Sequence, residues 1–249
     1  MSVMFTLTKL DNKNLKGVLE PDENGYYEMV IGGLNVFSSN GHYYTAEKAR
    51  SLFEKSSEFM RRVSTGNLRG EVNHPDISQL KSREDQLNML VNIDSHNVCA
   101  HFSDIWLDED YGKKHPELNN PSLVAIMAKV TPSGEKGYIL EKAFKNPKEN
   151  VCFSLRGVTE DYMERGVYTR VVDYIFTFDY VQEPGIHIAN KFDSPCLESI
   201  DDMVLTESLV ERVSSGSSKG IATEESSKAL QDINKIFTKK GEKPVTFRW

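Results

Sequence analysis

YTRVVDYIFTFDYV, residues 168–181, has the density of β-branched and aromatic side chains that is typical of a long, largely buried strand. Asp179 interrupts this apolar run and, by period-two alternation, shares a strand face with Ile175, Thr177 and Val181. A carboxylate in such surroundings is costly unless it has a partner. The partner is either a catalytic imidazole that the carboxylate orients or an ordinary hydrogen-bond donor, and the alternation alone leaves both open.

The preceding strand carries a candidate nucleophile. In VCFSLRG, residues 151–157, alternation places Cys152, Ser154 and Arg156 on one face. A serine hydroxyl needs a neighbouring base, and its transition-state oxyanion needs positive potential or N–H donors. Arg156 is therefore a candidate for oxyanion stabilisation, and Gly157 allows a backbone N–H to come close. The alternative is a serine and an arginine on the surface of an ordinary strand.

A histidine in GEVNHPD, residues 70–76, is the candidate base. Pro75 biases the residue before it toward extended geometry, so His74 is held at the end of a strand-like stretch with its ring partly fixed. That suits a working imidazole, and it equally suits a histidine that only ends a strand.

Composition excludes several function classes. A net charge of -7 without a basic stretch argues against a nucleic-acid partner. The three cysteines, Cys99, Cys152 and Cys196, have no CxxC spacing and read as buried thiols of a reducing compartment. No Walker or GxGxxG loop, signal peptide or membrane span is visible in the sequence. We therefore expect a cytoplasmic protein without a cofactor and without a membrane partner.

A metal site is the weaker alternative for the histidines. His96 and His101, with Asp94 and Asp104, lie in one stretch, but an odd separation on a strand directs the two imidazoles to opposite faces. There is no HExxH pattern. A metal hydrolase using His74, His96 and His101 ranks last, and we expect no metal.

The remaining pattern predicts one domain and a tail. Strands are predicted at 27–37, around 89–107 paired with 122–130, and at 150–157; a helix is predicted from an N-cap at Thr45 to Arg62, a loop or short helix at 78–88, and a helix at 134–146. Beyond Pro184, two amphipathic helices at 200–213 and 222–237 flank a serine- and glycine-rich linker, 214–220. We therefore predict a domain at 1–195 and a detachable helical tail at 196–249.

Four short sequence motifs, in their order along the chain, resemble those of a known family. GEVNHPD is followed by DIWLDED at 104–110, SLRG at 154–157 and FTFDYVQEPG at 176–185. Together they resemble the prohead core proteases of T-even-type tailed phages, procapsid maturation serine proteases similar in fold to herpesvirus assemblin. The resemblance runs from about Val30 to Ile188. It implies an α+β fold, with a mostly antiparallel β-barrel core flanked by helices.

The resemblance also implies a catalytic triad. Its histidine falls on His74, its nucleophile on Ser154 and its acid on Asp179, with Glu71 and His101 as the other candidates for the third member. The family often has a second serine where this chain has Leu155. Because that position faces away from Arg156, Ser154 keeps the role of nucleophile.

The implied activity is that of a maturation endopeptidase. Members cleave scaffold, core and capsid proteins, and themselves, after the glutamate of an aliphatic-x-glutamate tripeptide, inside the procapsid in the host cytoplasm. Arg156 could instead receive that glutamate. Glu207 and Glu211 fit the rule shortly before the linker and are the candidates for self-cleavage. A catalytically silent capsid-associated scaffold protein is the alternative function, and the resemblance leaves open whether the chain forms a homo-oligomer.

Overall fold

The computed structural model describes residues 19–191 of the 249, together with 203–205, 228, 231–232 and 245–248. The strands in this part of the chain are β1 (Tyr27–Leu34), β2 (Val36–Phe37), β3 (Tyr43–Thr45), β4 (Arg69–Glu71), β5 (Val98–Asp108), β6 (Val124–Pro132), β7 (Cys152–Glu164), β8 (Val167–Val181), β9 (Met203–Leu205) and β10 (Val245–Arg248). The helices are α1 (Glu58–Ser64), α2 (Arg83–Val91), α3 (Tyr111–Lys114) and α4 (Gly137–Lys145), with 3-10 turns at Ala49–Phe53 and Pro116–Leu118. No helix in the described part is long and apolar enough to cross a bilayer.

The first sheet has the order β1-β6-β5-β4, and all its neighbours are antiparallel. The long β5–β6 ladder confirms the predicted pairing of the strand around 89–107 with that at 122–130, but residues 89–91 belong to α2. Ser82 caps α2 by accepting a hydrogen bond from the backbone N–H of Asp85, so the helix begins within the predicted loop or short helix at 78–88 and ends three residues beyond it.

The second sheet has the order β2-β3-β8-β7-β10-β9, and only the β3–β8 pair is parallel. Its centre is the long hairpin of β7 and β8; the sequence predicted both strands, but β7 runs to Glu164, seven residues beyond the predicted end at 157. Arg165 and Gly166 make the two-residue turn, with φ of +48° and +83°. Two positive φ values match the right-handed twist of the strands they join. Two register shifts along this ladder, between Val158 and Thr159 and between Arg156 and Gly157, bring Ser154 opposite Asp179.

The predicted barrel is wrong, because the described strands form two sheets that do not close into one cylinder. Both are mostly antiparallel, so the α+β class and strand direction are confirmed. Part of the apolar core packs against β8. Phe178, on the face opposite Asp179, lies with its ring centroid 6.3 Å from that of Phe59 and 6.4 Å from that of Phe102.

Two predicted helices need correction. Thr45 is not an N-cap but the last residue of β3, where it pairs with Val171 of β8; the helix after it is split, and Ser57 caps α1. The predicted helix at 200–213 contains a strand, β9, which pairs with β10. In both places a long-range ladder supplies hydrogen bonds that override the local helical pattern. Whether the tail from 196 is a separate unit stays a prediction.

Lys191 closes the end of α4, the helix that the sequence predicted at 134–146. Its side chain is fully buried, and its Nζ donates to the carbonyl oxygens of Ala143 at 2.7 Å, Phe144 at 3.3 Å and Asn146 at 2.8 Å. The last carbonyls of a helix have no partner within it, so a cation here is favourable. Burial lowers the pKa of Lys191 to about 8.

Replacing Lys191 with methionine keeps an unbranched side chain but removes the donor. We expect Lys191→Met to lower the free energy of unfolding at pH 7 by about 2 kcal/mol, because buried carbonyls lose their partner. Lys142→Met, at an exposed position of the same helix, is the matched control and should change it by less than about 0.5 kcal/mol. Urea denaturation measures both, and equal stabilities would contradict the capping role.

Candidate active site

The GEVNHPD segment is held against β8 by close backbone packing. A Cβ at Gly70 would lie 2.3 Å from the carbonyl oxygen of Phe178, so only glycine lets β4 approach this closely. Val72 then forms a parallel bridge to Tyr180, and the N–H of Asn73 donates to the Tyr180 carbonyl at 2.7 Å. Asn73 has φ +60°, a turn that asparagine tolerates well. His74 follows directly and is therefore placed beside the end of β8.

The structure brings His74 and Asp179 together, although 105 positions separate them in the chain. His74 Nδ1 lies 2.9 Å from Asp179 Oδ2. The Asp179 side chain is fully buried, whereas that of His74 is 17% exposed. Since an ionised carboxylate only accepts hydrogen bonds, Nδ1 is the donor, and in the neutral imidazole Nε2 carries the lone pair.

Ser154 lies directly opposite Asp179 in the β7–β8 ladder. Residues paired in this way point to the same face, with Cβ atoms roughly 5 Å apart. The Ser154 residue is buried, with 9% of its surface accessible. Ser154 and Asp179 thus share one face of the β7–β8 hairpin, which the sequence did not predict, and His74 approaches that face from the β4 side.

Arg156 lies on the interior side of this group and not on the side that faces solvent. It is fully buried, and its Nη2 donates to Asp179 Oδ1 at 2.9 Å and lies 3.2 Å from Glu71 Oε1. Its Nη1 reaches the carbonyl oxygen of Asn92 at 3.3 Å. Both Nη atoms make inward contacts and the side chain has no exposed surface, so the geometry favours a role in holding Asp179 over direct contact with a substrate.

Glu71 is the fourth member of the buried network. Its backbone N–H donates to Asp179 Oδ1 at 3.1 Å, while its side chain accepts from the N–H of Asp94 at 2.7 Å. The residue is 2% exposed. It touches Arg156 and no described histidine, so it supports the carboxylate of the His74 pair and does not replace it. The position of Glu71 inside the strand-like LRGEV was a sequence signal for its burial, but the sequence did not indicate that Arg156 is its partner.

The two buried carboxylates compete for one cation. Burial acts to raise the pKa of Asp179, but the charge of Arg156 and the hydrogen bond from His74 hold it below its ordinary value. Burial raises the pKa of Glu71 against the opposing charge of Arg156, and the negative charge of Asp179 adds to the rise. Asp179 is therefore the residue kept ionised, and Glu71 the one that more readily holds a proton.

The other candidate residues lie apart from this group. His101 is engaged by the Tyr26 hydroxyl at 2.9 Å and the Gly66 carbonyl at 3.0 Å, and His96 pairs with Glu135 on the surface. Within the described residues no three His, Cys, Asp or Glu side chains are grouped so as to hold a metal ion. His101 is thus not placed to act as a triad member.

Gly157 is a second position, after Gly70, at which a strand lies too close to β8 to carry a side chain. A Cβ there would lie 2.3 Å from the Tyr174 carbonyl oxygen. Its part in oxyanion binding stays a prediction. Glu207 and Glu211, the candidates for self-cleavage, lie outside the described residues.

Comparison with known proteins identifies the family of this arrangement. The model of the Peptidase S80 family matches residues 5–236. The chain belongs to the peptidase S80 family. A capsid maturation protease of Pseudomonas phage phiKZ is 34% identical over 202 residues, which cover 79% of this chain and 72% of that protein. No solved structure gives a significant match. The resemblance to phage prohead proteases is thereby confirmed, and the relation to assemblin stays a prediction.

We expect substitutions of Arg156 and Glu71, two members of this buried charge network of the S80 peptidase, to lower the free energy of unfolding by very different amounts. Arg156→Met leaves two buried carboxylates without their cation, and we expect a loss of about 3–5 kcal/mol of unfolding free energy at pH 7. The loss should shrink toward pH 5, because the carboxyl groups, with pKa values raised by the substitution, then bind protons in the folded state.

Glu71→Gln should cost no more than about 1 kcal/mol at pH 7, since the raised pKa of Glu71 shows that its ionised form gains little from burial. Relative to this variant, the wild type should lose stability as pH rises above about 4.5, the usual glutamate range, through the raised pKa of the folded state. Urea titrations at several pH values measure both variants. A loss for Glu71→Gln as large as that for Arg156→Met would contradict the assignment of charge to Asp179.

Proposed function

We propose that this member of the peptidase S80 family is a serine endopeptidase that matures phage capsids. The observation that carries the proposal is the 2.9 Å contact of His74 Nδ1 with the buried Asp179, with Ser154 directly across the ladder from that aspartate. The phiKZ relative is named a capsid maturation protease, and this supports the same role here.

In the proposed mechanism His74 Nε2 takes the proton of the Ser154 hydroxyl as the oxygen attacks the scissile carbonyl. Asp179 fixes the tautomer through Nδ1 and stabilises the imidazolium that forms. The protonated Nε2 then gives its proton to the leaving amine, and water hydrolyses the acyl-enzyme by the reverse sequence. Arg156 acts as a positioning residue, because it contacts Asp179 and not the reacting atoms.

The proposed substrates are scaffold, core and capsid proteins inside the procapsid in the host cytoplasm, cleaved after glutamate. With Arg156 fully buried between Glu71 and Asp179, another group must receive the substrate carboxylate. We propose self-cleavage at Glu207 or Glu211 under the same rule.

A catalytically silent scaffold protein of the same fold is the second candidate. A silent protein has no need of an oriented imidazole, and a buried arginine with two carboxylates is an expensive way to stabilise a core. The His74–Asp179 contact therefore favours the enzyme.

Self-cleavage tests the proposal on the full chain. Intact-mass spectra of concentrated wild type over time should show fragments ending at glutamate, and these should be absent from Ser154→Ala. Ser64→Ala, at an exposed serine of α1, is the matched control and should behave as wild type.

A fluorogenic peptide spanning residues 203–209 provides the quantitative measurement. We expect Asp179→Asn to lower kcat about 10⁴-fold, since it presents the wrong tautomer of the imidazole, as in other serine triads. Cleavage by Ser154→Ala at the wild-type rate would contradict the proposed nucleophile.

A further inference from the structure

The edge of β7 that faces away from β8 passes directly by the proposed nucleophile. Beside Val151–Phe153 the edge is covered by residues 189–191: the N–H of Phe153 donates to the Ala189 carbonyl at 3.2 Å, and that of Lys191 to the Val151 carbonyl at 2.7 Å. Beside Gly157–Thr159 it is covered by β10. Between these stretches lie Ser154 to Arg156, for which the described residues supply no neighbouring strand on this edge.

β10 runs along β7 in the direction of Ser154. The pairing is antiparallel, with Thr246 opposite Thr159 and Arg248 opposite Gly157, so β10 runs along β7 toward the serine. Three positions separate Gly157 from Ser154. A longer peptide in the same register would therefore bring its backbone to Ser154 about three residues after the place of Arg248.

We propose that this outer edge of β7 is the binding site for the acyl-side residues of an extended peptide substrate, and that β10 is an intramolecular occupant that must leave before another chain binds. The inference rests on the proposed function, since it names how the same site receives its substrate. The juxtaposition that carries it is the antiparallel β10–β7 ladder three positions from Ser154.

Strand addition suits an enzyme that must accept several different proteins. An edge strand offers N–H and C=O groups to any extended backbone, so most of the binding is independent of side chains. Pairing also fixes the position of the scissile carbonyl relative to the serine, which is the orientation that nucleophilic attack requires.

The position of β10 in the chain suggests how it is released. Glu207 and Glu211 lie between β9 and β10, so cleavage at either would separate β10 from the body of the protein. A tethered strand competes at an effective concentration in the millimolar range, whereas a released one can diffuse away. Self-cleavage would thus open the β7 edge to other chains.

Binding to a catalytically inactive protein tests this without depending on turnover. In full-length Ser154→Ala, Thr246→Pro with Phe247→Pro removes two backbone donors from β10, since proline has no N–H. The probe is a fluorescent peptide of residues 242–249, measured by anisotropy. Ser217→Pro with Ser218→Pro, in the serine- and glycine-rich segment, is the control for two prolines in the tail.

We expect the β10 variant to bind the probe at least tenfold more tightly than the control, with faster amide hydrogen exchange at 157–159 when no probe is present. Equal affinity in both proteins, with exchange at 157–159 accelerated in the variant, would overturn the proposal. If the variant loses its thermal transition, the same comparison with Thr246→Pro alone decides. Cleavage by the Ser154-containing enzyme is measured separately, so failure of the protease proposal would be seen there and not in the binding.

Discussion

The carboxylate of Asp179 is the interaction on which the rest of the site depends. Its two oxygens accept from the Glu71 backbone, the Arg156 guanidinium and the His74 imidazole, which belong to β4, β7 and the segment that follows β4. Burying an ion is costly, and three donors offset that cost only while all three elements stay in place. The same contact that orients the proposed base therefore ties the two sheets together at this end.

This arrangement divides the polar groups into an inner and an outer set. Arg156 and Glu71 face inward, where both are buried and both donate a hydrogen bond to Asp179. Ser154 and His74 lie further out, beside an edge of β7 that accepts strands. In the proposed mechanism, chemistry and substrate binding both depend on β7: one face of the strand carries the proposed nucleophile, and its outer edge is the proposed peptide-binding site.

The local sequence pattern predicted those parts of the fold that depend on interactions between residues close together in the chain. Period two placed Ser154 and Asp179 on strand faces, and the apolar spacing of α4 gave that helix. What failed was long-range: Thr45 joined a parallel ladder with β8, and closure into a barrel depended on edge pairing that no spacing encodes. The meeting of His74 with Asp179 came from the family resemblance. Alternation also put Arg156 on the face of Ser154, but it could not show that the loop at Asn92 and β4 cover that arginine.

Activation of Ser154 by His74 and Asp179 is the step on which the proposed mechanism depends. A fluorophosphonate reagent tests it most directly, because only an activated serine reacts quickly, and peptide mapping shows which residue carries the label. We predict one adduct, on Ser154, formed much more slowly in Asp179→Asn at equal folded fraction. A label on another serine, or an equal rate in Asp179→Asn, would contradict it.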